Sequence, residues 1–455
     1  MSNFPAGRTA RNTAAAAVAA TLVLGASGCG DHHQATAPGG VVTITVNDEP
    51  AKTDPVNRAI FLSDVAEFEQ ANPKIKVEPH EGQMDPQTFA AKLAGGQLEN
   101  AFYVYFTDPA GLIAKHQAAD ITEALTGFPA AGQVKPELRK VFQDGQGRTY
   151  GVPEGNYSMG LLYSRKLFQQ AGLDPNQPPS TWAEVRADAA KIAALGNGIA
   201  GYGDYSKSNT GGWHFTAEMY SRGGDVAAQQ GEGSWKADFD NDTGRAVLQQ
   251  LHDMRWTDNS MGQRQLLEWA DLLQMMGAGK LGMYLATSDQ IPTIAAQYKG
   301  DPKDYGLGPV PEGKGTLAGG GGFMFNPKDT PEQLKAALAW VMFKYENPDR
   351  ITAGAERAAA NKQPVGLPEP NIWTGPAQQT KAAADLKYAN EPVENYAPFA
   401  KSIGTVPLKL EPPKAQQIYA ILDTAMAKVL TQRDANIDAL LADAAKQVDS
   451  LLATQ

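Results

Sequence analysis

The fold class follows from residues 41–78, which read VVTITVNDEPAKTDPVNRAIFLSDVAEFEQANPKIKVE. The β-branched run over 41–46 predicts a buried strand, and apolar residues over 60–68 recur at helical spacing. The alternating segment 74–78 predicts a second strand. Strand, helix and strand within about 40 residues form a βαβ unit, which is the seed of a parallel sheet.

Strand and helix patterns continue beyond this unit. A helix is expected over 89–93 and an aromatic strand over 101–106, which ends shortly before Asp108. Ligands of open α/β sheets bind beyond the carboxyl ends of strands, so Asp108 is a candidate contact. Two Ala- and Leu-rich amphipathic segments after Lys414 predict a pair of C-terminal helices. The chain is therefore expected to be an α/β protein.

One central helix has a complete start signal. Its apolar pattern covers 183–195, and Ser180 or Thr181 is the expected N-cap, with Glu184 placed to complete a capping box. Upstream of it, the segment 150–153 places Gly beside Pro, which is typical of a crossover where backbone angles are demanding. We expect a second lobe to begin after this crossover.

Length and charge limit the possible functions. A chain of 455 residues exceeds what one compact core usually organises, so two lobes are expected. The formal charge of −10 and the absence of Lys and Arg clusters argue against nucleic acid as a partner. After the N-terminal segment, no apolar run approaches the roughly 20 residues of a membrane-spanning helix.

The N-terminal segment has the layout of a secretory signal. Arg8 and Arg11 precede a small-residue apolar run over 14–25, which is too short and too Ala-rich to span a membrane durably. We therefore expect residues 1–28 to be a signal peptide that is removed on export. The mature protein would lie outside the cytoplasm.

The signal ends in ASGC at 26–29, which resembles the bacterial lipobox, with Ala26 at the position usually held by Leu. This resemblance implies that Cys29 is lipidated and that its lipid is the only contact with the cell membrane. Residues 29–40 are polar and contain Gly and Pro, so a flexible tether is expected. The alternative for Cys29, a buried or stray free thiol, fits its place at the end of the apolar run poorly.

Two tempting motifs lack the context that their chemistry needs. GNGIAG at 196–201 matches a dinucleotide fingerprint but follows a helix and leads into a strand, so a helix C-cap and turn is expected instead. Asp238, Asp240 and Asp242 alternate as in a calcium loop, but Thr243 stands where that loop needs glycine. Asp242 or Thr243 is expected to cap the next helix.

No motif identifies a catalytic residue, a metal site or a cofactor. The six histidines have no ligand-spaced companions, and no zinc-protease, nucleophile-elbow or P-loop pattern is present. Abundant carboxylates leave a glycosidase pair possible. The glycine run 319–322 has two interpretations, a slack surface loop or a backbone segment that passes close to a ligand or acts as a hinge.

Several segments in a consistent order resemble one family. They are YGVP at 150–153, LLYSRKLFQQAGLD at 161–174, PPSTWAEVRADAAKIAALG at 178–196, WADLLQMMGAGKLGMY at 269–284 and GLGPVPEGKGTLAGGGGF at 306–323. Together they resemble the extracellular sugar-binding proteins of ABC importers, the maltose-binding-protein-like group. The chain departs from the family at 99–101, where Glu-Asn-Ala replaces the usual Pro-Asp-Val.

The resemblance implies a two-lobed periplasmic-binding-protein-like fold of type II, a Venus flytrap with hinge crossovers and C-terminal helices. The N-terminal lobe is expected to comprise 41–152 and 285–321, and the C-terminal lobe 153–284 and 322–455. The ligand would bind in the cleft between the lobes and stabilise the closed form.

The resemblance also implies the function and the partners. The protein would be the substrate-binding lipoprotein of an ABC importer, which captures a mono- or oligosaccharide and delivers it to the transmembrane subunits of the permease. It would act as a monomer, without a cofactor and without enzymatic activity. ATP would be hydrolysed by another subunit, which explains why no P-loop is found here.

A sugar site needs hydrogen-bonding amides and carboxylates beside an aromatic platform. Trp213 is the leading platform candidate, and Trp373 in a Pro-rich loop is a second, since an exposed Trp there would be unusual without a role. Trp182 and Trp340 lie in helical patterns and are assigned to the core. The remaining candidate contacts are Gln83, Asp108, Asn156, Tyr157, Ser288, Asp289, Gly320 and Gly321.

Three alternatives stay open. A glycerophosphodiester or another polyol phosphate would favour arginine in the cleft, for which Arg222 and Arg255 are candidates. A secreted polysaccharide-active enzyme would need two carboxylates that face each other across the cleft. A sensory receptor that feeds a kinase would share the binding fold.

Overall fold

The computed structural model describes residues 40–231 and 234–453. The expected signal peptide, the lipidated Cys29 and the tether before Gly40 lie outside the described residues. Among the helices of the described ranges, none combines the length and the apolar character required to cross a membrane. The same residues contain no group of three or more His, Cys, Asp or Glu side chains that could hold a metal ion.

The strands form one large sheet, one smaller sheet and a short ribbon. In chain order they are β1 (Val42–Glu49), β2 (Ile75–Glu81), β3 (Ala101–Tyr105), β4 (Gly151–Ser158), β5 (Gly160–Ser164), β6 (Ala200–Tyr202), β7 (Ala227–Gly231), β8 (Ser234–Ala237), β9 (Leu281–Ala286), β10 (Tyr305–Gly308), β11 (Thr316–Phe325) and β12 (Leu408–Leu410). The large sheet has the order β12-β11-β3-β1-β2, and β4 pairs with β11. The smaller sheet has the order β10-β5-β9-β6, and β7 pairs with β8.

Helices cover these sheets and carry the chain between them. The α-helices are α1 (Pro55–Ala71), α2 (Pro86–Ala94), α3 (Pro109–Ala114), α4 (Thr122–Leu125), α5 (Pro136–Lys140), α6 (Arg165–Gln170), α7 (Trp182–Ala193), α8 (Thr210–Ser221), α9 (Asp242–Trp256), α10 (Trp269–Gly277), α11 (Gln290–Tyr298), α12 (Pro331–Lys344), α13 (Ile351–Ala360), α14 (Gly375–Tyr388), α15 (Ala397–Ser402), α16 (Ala415–Thr431) and α17 (Ile437–Leu452). Four 3-10 turns are described as well, at Pro129–Gln133, Pro302–Asp304, Pro348–Arg350 and Val393–Tyr396.

The βαβ unit predicted from residues 41–78 is confirmed. Strands β1 and β2 pair in parallel, with Ile44 opposite Val77, and α1 connects them. Phe61 and Phe68 of α1 pack edge-on against Trp340, which is fully buried as expected. These side chains belong to the core of the first lobe, the part of the chain built on the large sheet.

Local signals read from the sequence are largely confirmed. Thr181 caps α7, and its capping box with Glu184 is complete. The glycine motif at 196–201 forms a turn, with Gly196 and Gly198 at positive φ, between α7 and β6. The cap of α9 differs from the prediction, since Asn241 rather than Asp242 or Thr243 accepts the first free backbone N–H groups.

The lobe boundaries differ from those expected. Residues 153–158 stay in the large sheet as part of β4, so the first crossing lies at Met159, between β4 and β5. Residues 285–308 do not belong to the first lobe, because β9 and β10 pair with β5 in the smaller sheet. Residues 322–344 do not belong to the second lobe, because β11 runs unbroken through the glycines and pairs with β3 and β4.

The second lobe, built on the smaller sheet, has a large core of its own. The C-terminal helices α16 and α17 pack with α8 and α9, and their apolar stripes, such as Ile418 and Leu441, are fully buried. A Cβ on Gly212 of α8 would lie 2.3 Å from the Tyr419 Cα. Glycine at this position therefore permits the close approach of α8 to α16.

Candidate ligand-binding site

A cavity of about 440 Å³ lies where the two lobes face each other. The first lobe contributes the ends of β3 and β4 and the glycines of β11, and the second lobe contributes residues of α8 and α10 and the segment after β9. This size is within the range of small-molecule sites. The cavity is called the main cavity below.

The floor of the main cavity is the glycine segment of β11. A Cβ on Gly319 would lie 2.2 Å from the Tyr157 hydroxyl oxygen, and a Cβ on Gly321 would lie 1.8 Å from that of Tyr103. Both tyrosine rings therefore lie directly over backbone, a position that any larger residue in β11 would block. The run 319–322 is thus buried sheet and not a slack surface loop.

Asn156 is the polar group most in need of a partner. Its side chain is only 9% exposed, and neither its Oδ1 nor its Nδ2 has a hydrogen-bond partner among the described residues. It lies on β4 opposite Gly320 and lines the main cavity. A buried amide without hydrogen-bond partners destabilises the folded protein. A ligand with hydroxyl groups would provide the missing hydrogen bonds.

Aromatic rings surround this amide. The Tyr157 and Trp213 rings, from opposite lobes, meet edge-on with centroids 6.1 Å apart. Tyr103 and Tyr105 meet in the same way at 5.7 Å, and Trp269 lines the cavity from the second lobe. Partly exposed rings beside a buried amide are the groups that hold the apolar faces and the hydroxyls of a sugar.

The charged side chains that line the main cavity are all acidic. They are Glu154, Asp289 and Glu369. Burial raises the pKa of Glu154 to about 7, and the nearby Asp48 carboxylate adds to this effect. Burial also raises the pKa of Asp108 and of Asp48. The cleft therefore favours hydrogen-bond donors and positive charge over anions.

A second cavity of about 450 Å³ adjoins the first, and Asp289 and Glu369 line both. Its wall includes Lys344, Arg350 and Lys381. These cations are already paired: Lys344 and Arg350 contact Asp64 at 2.9 and 2.7 Å, and Lys381 contacts Asp385 at 2.6 Å. The second cavity extends the cleft without a free cation among its described lining residues.

The predicted site residues are distributed around these cavities. Six of the ten line the main cavity, namely Asn156, Tyr157, Trp213, Asp289, Gly320 and Gly321. Gln83 and Asp108 do not line the main cavity but form hydrogen bonds with Tyr105, which does. The Tyr105 hydroxyl donates to Gln83 Oε1 at 2.5 Å, and its backbone N–H donates to Asp108 Oδ2 at 2.9 Å.

Ser288 and Trp373 lie elsewhere. Ser288 is 5% exposed and does not line either cavity. Trp373 lines the second cavity but is not the exposed ring that the Pro-rich loop suggested, since it is 5% exposed and packs against Val134 and Leu138.

Comparison with known proteins adds the family to this geometry. The sequence profile described as bacterial extracellular solute-binding protein matches residues 53–346, well over half of the chain. The chain belongs to the bacterial extracellular solute-binding protein family. This solute-binding protein has the two-lobed architecture that the sequence motifs implied, with the boundaries given above.

Curated relatives of the solute-binding protein match over a part of the chain. A putative binding protein of Brucella abortus is 27% identical over 172 residues, which cover 37% of this chain and 39% of the relative. The sn-glycerol-3-phosphate-binding periplasmic protein of Yersinia pestis is 30% identical over 161 residues, which cover 32% and 36%. These alignments thus span less than half the length of the relatives.

Solved structures match over nearly the whole fold. An ABC transporter solute-binding protein of Thermotoga lettingae, bound with α-D-tagatose, has a TM-score of 0.68 at 21% identity and covers 90% of this chain and 100% of its own. An ABC substrate-binding protein of Listeria monocytogenes, in complex with cycloalternan, has a TM-score of 0.71 at 17% identity, with coverages of 91% and 100%. The predicted two-lobed fold is confirmed.

Sequence reasoning missed several residues that line the cleft of the solute-binding protein. Tyr103 and Tyr105 alternate with buried Phe102 and Val104 along β3. Because alternate residues of a strand point to opposite faces of the sheet, this pattern predicts that the two tyrosines share one face. Trp269 opens α10, whose apolar pattern alone is equally typical of core packing. Glu154, Glu369 and Gln290 have no local pattern that separates them from other polar residues.

Proposed function

We propose that this protein captures a carbohydrate in the cleft between its lobes. The observation that carries the proposal is Asn156, a buried amide without a partner, set among tyrosine and tryptophan rings over a glycine floor. A sugar ring would satisfy the amide with its hydroxyls and pack its C–H face on Trp213. Relatives of the same fold that hold tagatose and cycloalternan support this ligand class.

The alternative ligand, a glycerophosphodiester or polyol phosphate, receives support from the glycerol-3-phosphate-binding relative of Yersinia pestis. The charges of the cleft argue against it. Arg222 stacks on Trp182 and donates to Gln250, and Arg255 stacks on Trp256 and donates to backbone carbonyls. Neither candidate arginine lines the main cavity, where a phosphate would need it.

The proposal extends to the role of the whole protein. The captured sugar would be delivered to the transmembrane subunits of an ABC permease, with Cys29 as the lipid anchor that keeps a monomeric receptor at the membrane. A binding role without catalysis is consistent with the family, which is one of extracellular solute-binding proteins. A polysaccharide-active enzyme would need a carboxyl pair such as Glu154 and Asp289, which line the main cavity from opposite lobes, but membership in a family of solute-binding proteins favours binding without catalysis. No feature of the cleft favours the sensory receptor.

The test is a thermal-shift screen of the purified protein. The panel contains mono- and oligosaccharides, sn-glycerol-3-phosphate and glycerophosphocholine, since a ligand that binds only the folded form raises the melting temperature. We expect a shift with at least one carbohydrate and none with the two phosphates. A shift with a phosphate alone would contradict the proposal.

A matched pair of variants locates the site. Trp213→Ala should abolish the sugar-induced shift, because it removes the ring that faces Tyr157 across the cleft. Trp235→Ala, on the β7–β8 ribbon outside the main cavity, removes a ring of the same kind and should leave the shift intact. An unchanged shift in Trp213→Ala would remove this tryptophan from the site.

A further inference from the structure

The charge of the main cavity is unbalanced. Glu154, Asp289 and Glu369 line it, and no Lys or Arg is among its described lining residues. None of these three carboxylates forms an ion pair or a side-chain hydrogen bond with another side chain of the described residues. Asp289 and Glu369 are exposed toward solvent, so their carboxylates are open to a ligand.

Neighbouring groups increase the imbalance. The carboxylates of Asp48, Asp108 and Glu411 lie close enough to Tyr103 and Tyr105 to act on their hydroxyls, and all three groups have a raised pKa because of burial. Further carboxyl groups therefore surround the cleft beyond its immediate wall. A cleft lined by one sign of charge between low-dielectric walls concentrates ligands of the opposite sign.

The nearest cations do not compensate for this charge. Lys344 acts on Glu154 from the second cavity, but its ammonium is 2.9 Å from Asp64 and lies over the Phe61 and Tyr345 rings. Lys381 acts on Glu369 but is held by Asp385. Each cation thus has a partner of its own outside the main cavity.

Aromatic rings and free carboxylates together recognise one chemical group. An ammonium is attracted to the faces of tyrosine and tryptophan and forms charge-assisted hydrogen bonds with carboxylates. Tyr103, Tyr157 and Trp213 offer the rings, and unpartnered Asn156 independently favours a ligand with hydrogen-bonding groups in this cavity. A neutral sugar would use the amide and the rings but would leave three carboxylates without a counter-charge.

We propose that the carbohydrate bound in this cleft carries a protonated amine, which Glu154, Asp289 and Glu369 hold while the sugar ring packs against the aromatic side chains. This inference rests on the proposed carbohydrate function and narrows it to basic sugars, such as oligosaccharides of glucosamine or other aminated sugars. A basic sugar carries the opposite charge to the polyol phosphate of the alternative proposal.

The test uses matched ligands that differ at the amine. Glucosamine and its β-1,4-linked dimer and trimer, their N-acetylated counterparts and the corresponding glucose oligomers are titrated into the intact protein by calorimetry at low and high salt. A panel of other aminated sugars with their N-acetylated forms extends the series to further ring stereochemistries. We expect at least about tenfold tighter binding of an amine over its acetylated partner, with the difference reduced by salt.

The outcomes separate this inference from the function on which it rests. If the neutral or acetylated member of a pair binds as tightly as the amine, the basic-sugar inference is overturned while the carbohydrate function stands. If no sugar of either kind binds, both proposals fail. Binding of amines alone supports both.

Substitutions then test whether the carboxylates cause the tighter binding of the amine. The double substitution Glu154→Gln and Glu369→Gln keeps the shape and should reduce the preference for the amine about tenfold or more, while binding of the neutral partner persists. Asp443→Asn, on the exposed face of α17, is the control and should leave the preference unchanged. A double variant that folds, as judged by its circular dichroism and melting curve, and keeps the full preference would overturn the inference.

Discussion

Asn156 shows at the scale of one residue how a binding protein differs from a protein optimised for stability. An unsatisfied buried amide costs about 1–3 kcal/mol, and the free protein bears this cost because neither amide atom has a partner. The same group gains hydrogen bonds when a ligand enters. The Asn156 side chain therefore lowers the stability of the free protein and raises its affinity for the ligand.

Replacement of Asn156 by Leu tests this opposition. The variant keeps the branching at Cγ and replaces the two unpartnered polar atoms by methyl groups beside the cavity, so the free energy of unfolding of the free protein should be unchanged or higher by up to about 2 kcal/mol. Its affinity for the sugar should fall at least about tenfold. Chemical denaturation and calorimetric titration measure the two quantities, and an unchanged affinity would exclude Asn156 from the site.

Glu346 gives a pH-dependent prediction outside the cleft. It is 1% exposed, both its carboxyl oxygens lack a partner in the described chain, and burial raises its pKa to about 8, opposed by the Arg139 charge. A carboxyl whose pKa is raised on folding stabilises the protein below its unfolded pKa, and this stabilisation is lost as the pH rises through about 8.

Glu346→Gln should therefore match the native protein near pH 5 and exceed it at pH 8 by roughly 1–4 kcal/mol in free energy of unfolding. Denaturation curves across this pH range provide the comparison. Equal losses of stability in both proteins between pH 5 and pH 8 would show that Glu346 is ionised, with a solvated or paired carboxylate, at neutral pH.

At the scale of an element, β11 joins the fold to the site. Its ten residues are all buried, it pairs with β3, β4 and β12, and its glycines accept the rings of Tyr103 and Tyr157. One strand thus organises the large sheet and forms the cavity floor. A side chain at Gly319 or Gly321 would displace a cleft tyrosine, whereas one at Gly320 or Gly322 would meet the backbone of β4.

Gly321→Ala makes this dependence measurable. The added methyl would lie 1.8 Å from the Tyr103 hydroxyl oxygen, so we expect a loss of about 1–3 kcal/mol in stability together with weaker sugar binding. Gly111→Ala in α3 adds the same methyl where no atom lies within 4 Å, and it should be neutral or stabilising. Equal behaviour of the two variants would refute the account of the glycine floor.

The strands and helices could be predicted because their signals are local. The βαβ pattern of 41–78 and the capping box of Thr181 depend on neighbours within a few residues, and both are found as predicted. The role of β11 could not be predicted from the sequence. Its glycines at 319–322 become informative only when the tyrosines that pack on them, more than 150 residues away in the chain, are known. Glu369 and Gln290 reach the cleft through long-range packing that no local pattern encodes.

At the scale of the whole molecule, the cleft exists because the chain passes between two sheets. The order of segments and the family could be inferred from motifs spread along the chain, but the crossing points could not. The first crossing is the single residue Met159 between β4 and β5, and the return lies between β10 and β11. The strands on either side of each crossing pair with strands that are distant in sequence. Each segment could therefore be assigned to a lobe only from the observed strand pairing.

The binding of a carbohydrate between the lobes at Asn156 can be observed in a crystal structure of the protein with the tightest carbohydrate of the thermal-shift panel. We predict a sugar ring whose hydroxyls lie within hydrogen-bond distance of the Asn156 amide on the first lobe and whose C–H face lies on Trp213 of the second lobe. A sugar bound elsewhere, or in contact with one lobe only, would contradict the account.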